Sequence, residues 1–183
     1  MSGKKLNYST VERFKNCTVP QEVEDDILET FAKYSIDHDM TVQDTQSYFE
    51  DLQLPRELYK LIRKEDIVID GTDVVDFDKI VRQTFHLLIF MNNEDVINSF
   101  WALLLKNSGR SEKFPEVKLK DHILSIKDLQ KVDVLLNNNN SSNKNTSGVD
   151  IIGMLTCATY GSRVYMTYLD FADVLGRLGY LQF

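Results

Sequence analysis

The chain has little of what most chemical motifs are built from. Its 183 residues include two cysteines, Cys17 and Cys157, and three histidines, His38, His86 and His122. Two cysteines so far apart make neither a disulfide framework nor a zinc site, which needs more ligands at shorter spacing. A reducing compartment, cytosol or nucleus, is the expectation. The histidines share no spacing with the cysteines, and metalloprotease, P-loop and nucleophile-elbow patterns are missing. No enzyme is expected, and no catalytic residue is assigned. Three prolines and eight glycines are too few for an all-β chain of many tight turns and favour helices. No run approaches the roughly 20 apolar residues of a membrane span; residues 85–91 are too short. The start, Met1-Ser2-Gly3-Lys4-Lys5, lacks both the apolar run of a signal peptide and the Met-Gly of a myristoylation signal. No membrane association is expected.

What is present is a globular composition, 43% hydrophobic and 27% charged. The net charge of -7 is unevenly spread: residues 22–51 hold ten acids and one base, Lys33. This run is either a solvated helix face or a surface for a basic protein partner. It disfavours direct nucleic-acid binding, which needs clustered Lys and Arg. Lys113, Lys118 and Lys120 form a modest basic cluster, but Glu112, Glu116 and Asp121 are interleaved.

Apolar residues recur at helical spacing along most of the chain. Residues 1–19 read as a flexible lead. Pro20, followed by Glu22, Glu24, Asp25 and Asp26, marks a helix start. Val23, Ile27, Leu28, Phe31 and Tyr34 give that helix one apolar face. Residues 45–54 form a short second helix, and Pro55 begins a third. Residues 67–72 read as loop or strand, and 77–91 as a strongly apolar helix. The second half repeats the rhythm from Asn93-Glu94-Asp95, with helical pieces at 118–125, 126–136, 149–156 and 168–181. Residues 137–148 are an Asn/Ser-rich, disordered insertion. The expected domains are 20–92 and 93–183.

Between the helical stretches lie loops that resemble EF-hand loops stripped of their ligands. Such a loop carries oxygen ligands at positions 1, 3, 5 and 9, and a bidentate Glu at 12. With Asp76 at position 9, position 1 is Val68 and position 12 is Lys79. In the last loop, positions 1, 3 and 5 are Thr159, Gly161 and Arg163, and position 12 is Asp170. In the first, position 1 is Ser35 and position 12 is Gln46; Asp37 and Asp39 survive. The third loop, around 109–118, fits only with an insertion. A valine cannot ligate a hard cation, and a lysine at position 12 puts an ammonium where the carboxylate belongs. No metal and no cofactor is expected.

Order and spacing carry the likeness further. Val19-Pro20-Gln21-Glu22-Val23, Asp37-His38-Asp39-Met40-Thr41-Val42, Gly71-Thr72-Asp73-Val74-Val75-Asp76-Phe77, Met166-Thr167-Tyr168-Leu169-Asp170-Phe171 and Val174-Leu175-Gly176-Arg177-Leu178-Gly179-Tyr180-Leu181 resemble divergent calmodulin/centrin-type proteins. Within that superfamily they are most similar to the centrin-like accessory proteins of yeast nucleotide excision repair. The resemblance implies an all-α, degenerate four-EF-hand protein with two lobes and short β-pairings between loops. It implies a nuclear repair factor, with the cytoplasm as a second location. Its implied partner is a helix of the xeroderma-pigmentosum-group-C-type damage-recognition factor, which it stabilises. Through that factor it would meet a repair partner with a ubiquitin-like domain. The rival reading is a light chain or calcium-responsive regulator of a cytoskeletal or signalling target.

A helix-binding groove is expected in the second half, where apolar residues exceed what a small lobe must hide. Its candidates are Phe100, Trp101, Leu104, Leu119, Ile123, Met154, Met166, Phe171, Val174, Leu175 and Leu178. Partner helices anchor at i, i+3 or i+4, and i+7 in such grooves, and methionine suits them. Trp101 also reads as a core aromatic.

Overall fold

The computed structural model describes residues 8–15, 19–138 and 147–183. The Asn-rich insertion expected at 137–148 falls largely on residues 139–146, outside the described residues. The described chain is mostly helical with one small antiparallel sheet, as expected of an all-α protein. It divides into two compact units. One holds the residues up to Asn93 together with Arg177–Phe183, and the other holds Glu94–Gly176.

The first unit contains α1 (Tyr8–Lys15), α2 (Gln21–Ser35), α3 (Thr45–Asp51), α4 (Arg56–Tyr59) and α5 (Phe77–Asn92). Helix α1 lies inside the stretch that the sequence suggested was a flexible lead. Pro20 sits at the N-cap of α2, and Glu22 and Glu24 occupy its first turn, where acids favour the helix dipole. Asp76 caps α5 by accepting from the Lys79 N–H at 3.0 Å. From that start, Ile80, Thr84, Leu87 and Phe90 fall on one buried face of α5. The Tyr48 hydroxyl pairs with Thr84 Oγ1 at 3.0 Å inside this core. Burial without an ionised partner pushes the Tyr48 phenol up to about 12.

Residues 67–76 fold back as a tight hairpin. Ile69 N–H donates to Val74 O, and Asp76 N–H to Ile67 O. The turn contains Gly71 at φ +81°, a left-handed conformation that favours glycine. The hairpin's outer strand meets the preceding loop: Thr41 bridges Val74, with Val75 N–H donating to Met40 O.

The second unit holds α6 (Glu94–Asn107), α7 (Arg110–Lys113), β1 (Leu124–Ser125), α8 (Ile126–Asn138), α9 (Ser147–Thr159), β2 (Tyr165–Met166) and most of α10 (Tyr168–Arg177). Residues 118–125 are not the helix suggested by sequence. They form a 3-10 turn at Leu119–Asp121 and then strand β1. Strand β1 spends its backbone groups on β2, pairing Leu124 with Met166 and Ser125 with Tyr165. Ile97, Trp101 and Leu105 recur every four residues and turn one face of α6 into the core. Helix α10 stops at Arg177, before Gly179 at φ +74°.

Candidate functional site

Two features stand out: the loops that join the helices, and the apolar surface of the second unit. In the loops, a recurring arrangement follows each short β contact. Thr41 donates its N–H and its Oγ1 to Asp44 Oδ2, both at 2.8 Å. Ser125 does the same to Asp128 at 3.0 and 2.7 Å, and Thr167 to Asp170 at 2.8 and 2.7 Å. In each, a carboxylate three positions on accepts from the loop, and the last two are reciprocal, since the Asp128 and Asp170 N–H groups donate back to Ser125 Oγ and Thr167 Oγ1 at 3.4 and 3.3 Å. Thr41 is the residue that bridges Val74, and Asp44 is the carboxylate that accepts from it.

Three of these loops also contain a cation from the chain itself. Lys79 Nζ donates to Val68 O at 2.7 Å and to Asp70 Oδ1 at 3.2 Å. Arg110 lies 3.5 Å from Asp128. The Arg163 guanidinium is paired with Asp170, and both side chains are about a tenth exposed, 11% and 9%. Burial pushes the Asp128 carboxyl up, but hydrogen bonds from Ser125 and the Arg110 and Lys131 charges outweigh it and leave it below the usual range. Asp44 is also lowered, by hydrogen bonds from the Thr41 backbone and hydroxyl. This donor set does not fit a calcium ion. Asp44, Asp128 and Asp170 are already committed to caps or fixed cations, and an ammonium sits on the carbonyl of Val68.

The groove residues named from sequence divide by burial. Trp101, Met166, Phe171 and Leu175 are buried. The Trp101 ring lies 5.3 Å from Phe171 and meets Tyr168 edge-on at 6.1 Å, and its Nε1–H donates to Leu119 O at 2.8 Å. The Tyr168 hydroxyl donates to Asn98, and burial, with the nearby Glu94, raises its pKa. These aromatics form the core of the second unit, the alternative reading of Trp101. Leu104, Leu119, Val174 and Leu178 are half-buried. Phe100, Ile123 and Met154 are exposed, at 40%, 39% and 47%.

Exposed Phe100 has company that sequence reasoning missed. Val96 and Leu103 are also exposed, and with Phe100 they stand at i, i+4 and i+7 on α6. The helix therefore carries two apolar stripes, one in the core and one facing outward. The spacing was present in the sequence, but a single apolar count for the lobe could not separate the stripes. Nearby, Lys106, Glu112, Lys127, Lys131, Val134 and Leu135 help line an open cleft of about 640 Å³ among α6, α7 and α8.

Among remaining candidates, Cys157 is exposed and His122 is buried, its pKa lowered first by burial. His86 is half-buried on α5, and burial, helped by Arg82, pushes it down to about 4. Among the described residues, no helix is long and apolar enough to cross a membrane.

Comparison with known proteins adds a lineage. The pattern of the Rad33 family matches residues 59–141. The DNA repair protein RAD33 of Saccharomyces cerevisiae is 52% identical over 177 residues, covering 97% of this chain and 96% of that protein. No solved structure matches.

Proposed function

The chain belongs to the Rad33 family, and from that premise we propose that it is a non-enzymatic, protein-binding subunit in nucleotide excision repair. It binds a helix of the xeroderma-pigmentosum-group-C-type damage-recognition factor and stabilises that factor. The relative's name supports the role in DNA repair. The nucleus is the place where that role is carried out. Through the recognition factor, the chain joins a complex with a partner carrying a ubiquitin-like domain.

The observation that carries the helix-binding part is the outer stripe of α6, Val96, Phe100 and Leu103. A partly exposed apolar stripe at i, i+4 and i+7 is what an amphipathic partner helix covers. The likeness to a centrin-type fold is supported by the two loop contacts, Thr41 with Val74 and Leu124 with Met166, each flanked by helices. Calcium plays no part in this reading, which is supported by Lys79 lying on the Val68 carbonyl and by Arg110 and Arg163 lying against Asp128 and Asp170.

The test is a pull-down of the damage-recognition factor with Phe100→Asp and Leu103→Asp, both exposed and compatible with folding. Binding is expected to fall by tenfold or more, about 1.4 kcal/mol or above, as for a central anchor. Undiminished binding by both variants would sink the reading. A core change such as Phe171→Ala is a poor probe, since it damages the unit itself.

A further inference from the structure

The first unit already holds a helix on its surface, and that helix belongs to the chain. Helix α1 has eight residues, far below the length at which an isolated helix is stable in water. Packing must therefore hold it, and among its described side chains Phe14 is the one fully buried. Val11 is half-buried. Tyr8, Ser9, Glu12, Arg13 and Lys15 are exposed, Tyr8 at 76%.

The seat of Phe14 is made by other elements. Its ring stacks on His86 of α5, with centroids 5.2 Å apart and planes 20° from parallel. Behind His86 lies Phe90, at 5.9 Å and itself buried. The edge of Phe183 closes the pocket at 5.3 Å, and the guanidinium of Arg13 lies 5.1 Å over the Phe183 ring. Phe183 is held in place through its neighbours. Leu181 is buried, and Asn93 exchanges two 2.8 Å hydrogen bonds with the backbone of Gln182. The floor is thus fixed by α5 and the 177–183 segment, and α1 supplies only the plug.

We propose that the pocket formed by His86, Phe90 and Phe183 is a second helix-docking site, which α1 fills in cis. Its occupant in trans is an amphipathic helix with an aromatic anchor next to a basic residue, the Arg13-Phe14 chemistry seen in the structure. The aromatic ring stacks on the imidazole, and the cation rests on the Phe183 face. A tethered plug competes by its high effective concentration, so a partner must bind strongly or arrive on a chain already held elsewhere. The site lies in the first unit and does not depend on the α6 stripe, so either proposal can fail without the other.

The probe is a fluorescent peptide of residues 5–16, titrated by anisotropy into the full chain and its Phe14→Ala variant. The peptide is expected to bind the variant about tenfold or more tightly than the wild type, because only the variant has an empty seat. A peptide carrying Phe14→Ala is expected to bind neither. Equal binding to both proteins, or no binding to a folded variant, overturns the proposal. Loss of the fold in Phe14→Ala also overturns it, because the helix is then part of the core. Hydrogen exchange of the wild type gives a check without mutation. Amides of α1 should exchange about a hundredfold or more faster than those in the middle of α5; equal protection refutes a displaceable plug.

Discussion

The two units treat their apolar surface differently. Among the described residues, no helix of the first unit carries more than one exposed large apolar side chain: Tyr8 on α1, Leu28 on α2, Phe77 on α5. In the second unit, α6 exposes Val96, Phe100 and Leu103, α8 exposes Val134 and Leu135, and α9 exposes Ile152 and Met154. The first unit has recruited a short helix and the 177–183 segment to cover itself. The second has aromatic density inside and partly exposed apolar side chains outside. The first unit's other exposed apolar side chains, Ile36, Ile69, Tyr180 and Phe183, lie off its helices, while the second unit's helices keep more of theirs at the surface.

The sharpest way to break this comparison is to truncate the two neighbouring aromatics of α6. Trp101→Ala should destabilise the chain by about 3–5 kcal/mol, as a large core deletion does. Phe100→Ala should stay within about 1 kcal/mol, because its ring is already partly in water. Chemical denaturation of both variants checks the contrast, and similar losses would erase the distinction between inner and outer stripe.

The fixed cations separate the units next. Arg163→Gln leaves the Asp170 carboxylate buried without its charge partner, at a cost of about 3 kcal/mol. Lys79→Gln, where Lys79 is 38% exposed and its partner Asp70 almost wholly so, should cost under about 1 kcal/mol. Thermal melts would show the difference, and equal shifts would mean that the two cations do the same work.

Acid should act on the first unit through His86. The folded ring takes a proton only at about pH 4, and the unfolded chain near 6.5. Between these values the unfolded state binds more protons, so stability falls as the pH drops. From pH 8 to pH 5 the loss attributable to this ring is about 2 kcal/mol. Denaturation of wild type and His86→Phe at both pH values measures it; an unchanged pH dependence in the variant assigns the loss elsewhere.

The smallest expected effect is that of calcium itself. Millimolar calcium, set against a chelator, should leave the melting temperature and the near-ultraviolet spectrum unchanged. A spectral change with saturation would show a site where the carboxylates are now engaged by caps and cations.

Much of the helical skeleton is legible in the sequence because its signals are local. Pro20 with the acids after it, Asp76, and Asn93-Glu94-Asp95 mark three helix starts near where the structure has them. The loop chemistry was legible in part at Lys79 and Arg163, whose charges stand out in the sequence and lie against loop oxygens in the structure. Residues 118–125 were not legible, since their pairing partner lies some forty positions away and a two-residue strand has no periodicity to read. The 177–183 segment was harder still. Gln182 finds Asn93 across 89 residues, and no nearby pattern encodes a contact at that distance. As for the groove, Trp101 and Phe100 are adjacent aromatics. Only phase with Ile97 and Leu105 distinguishes the one that faces inward, and phase is visible once the helix's core side is known.

The cations of Lys79, Arg110 and Arg163 have a consequence for control. A bound metal can be diluted, chelated or exchanged, and its loop answers to the composition of the solution. A side chain bonded to the loop it neutralises is present at a concentration set by the backbone, which no chelator lowers. Loops built this way are expected to hold their shape through a rise or fall of divalent ions, the outcome the calcium melts check. Under the proposed function, what remains to regulate the chain is supply: how much of it is made, and how many of the proposed partner helices compete for it.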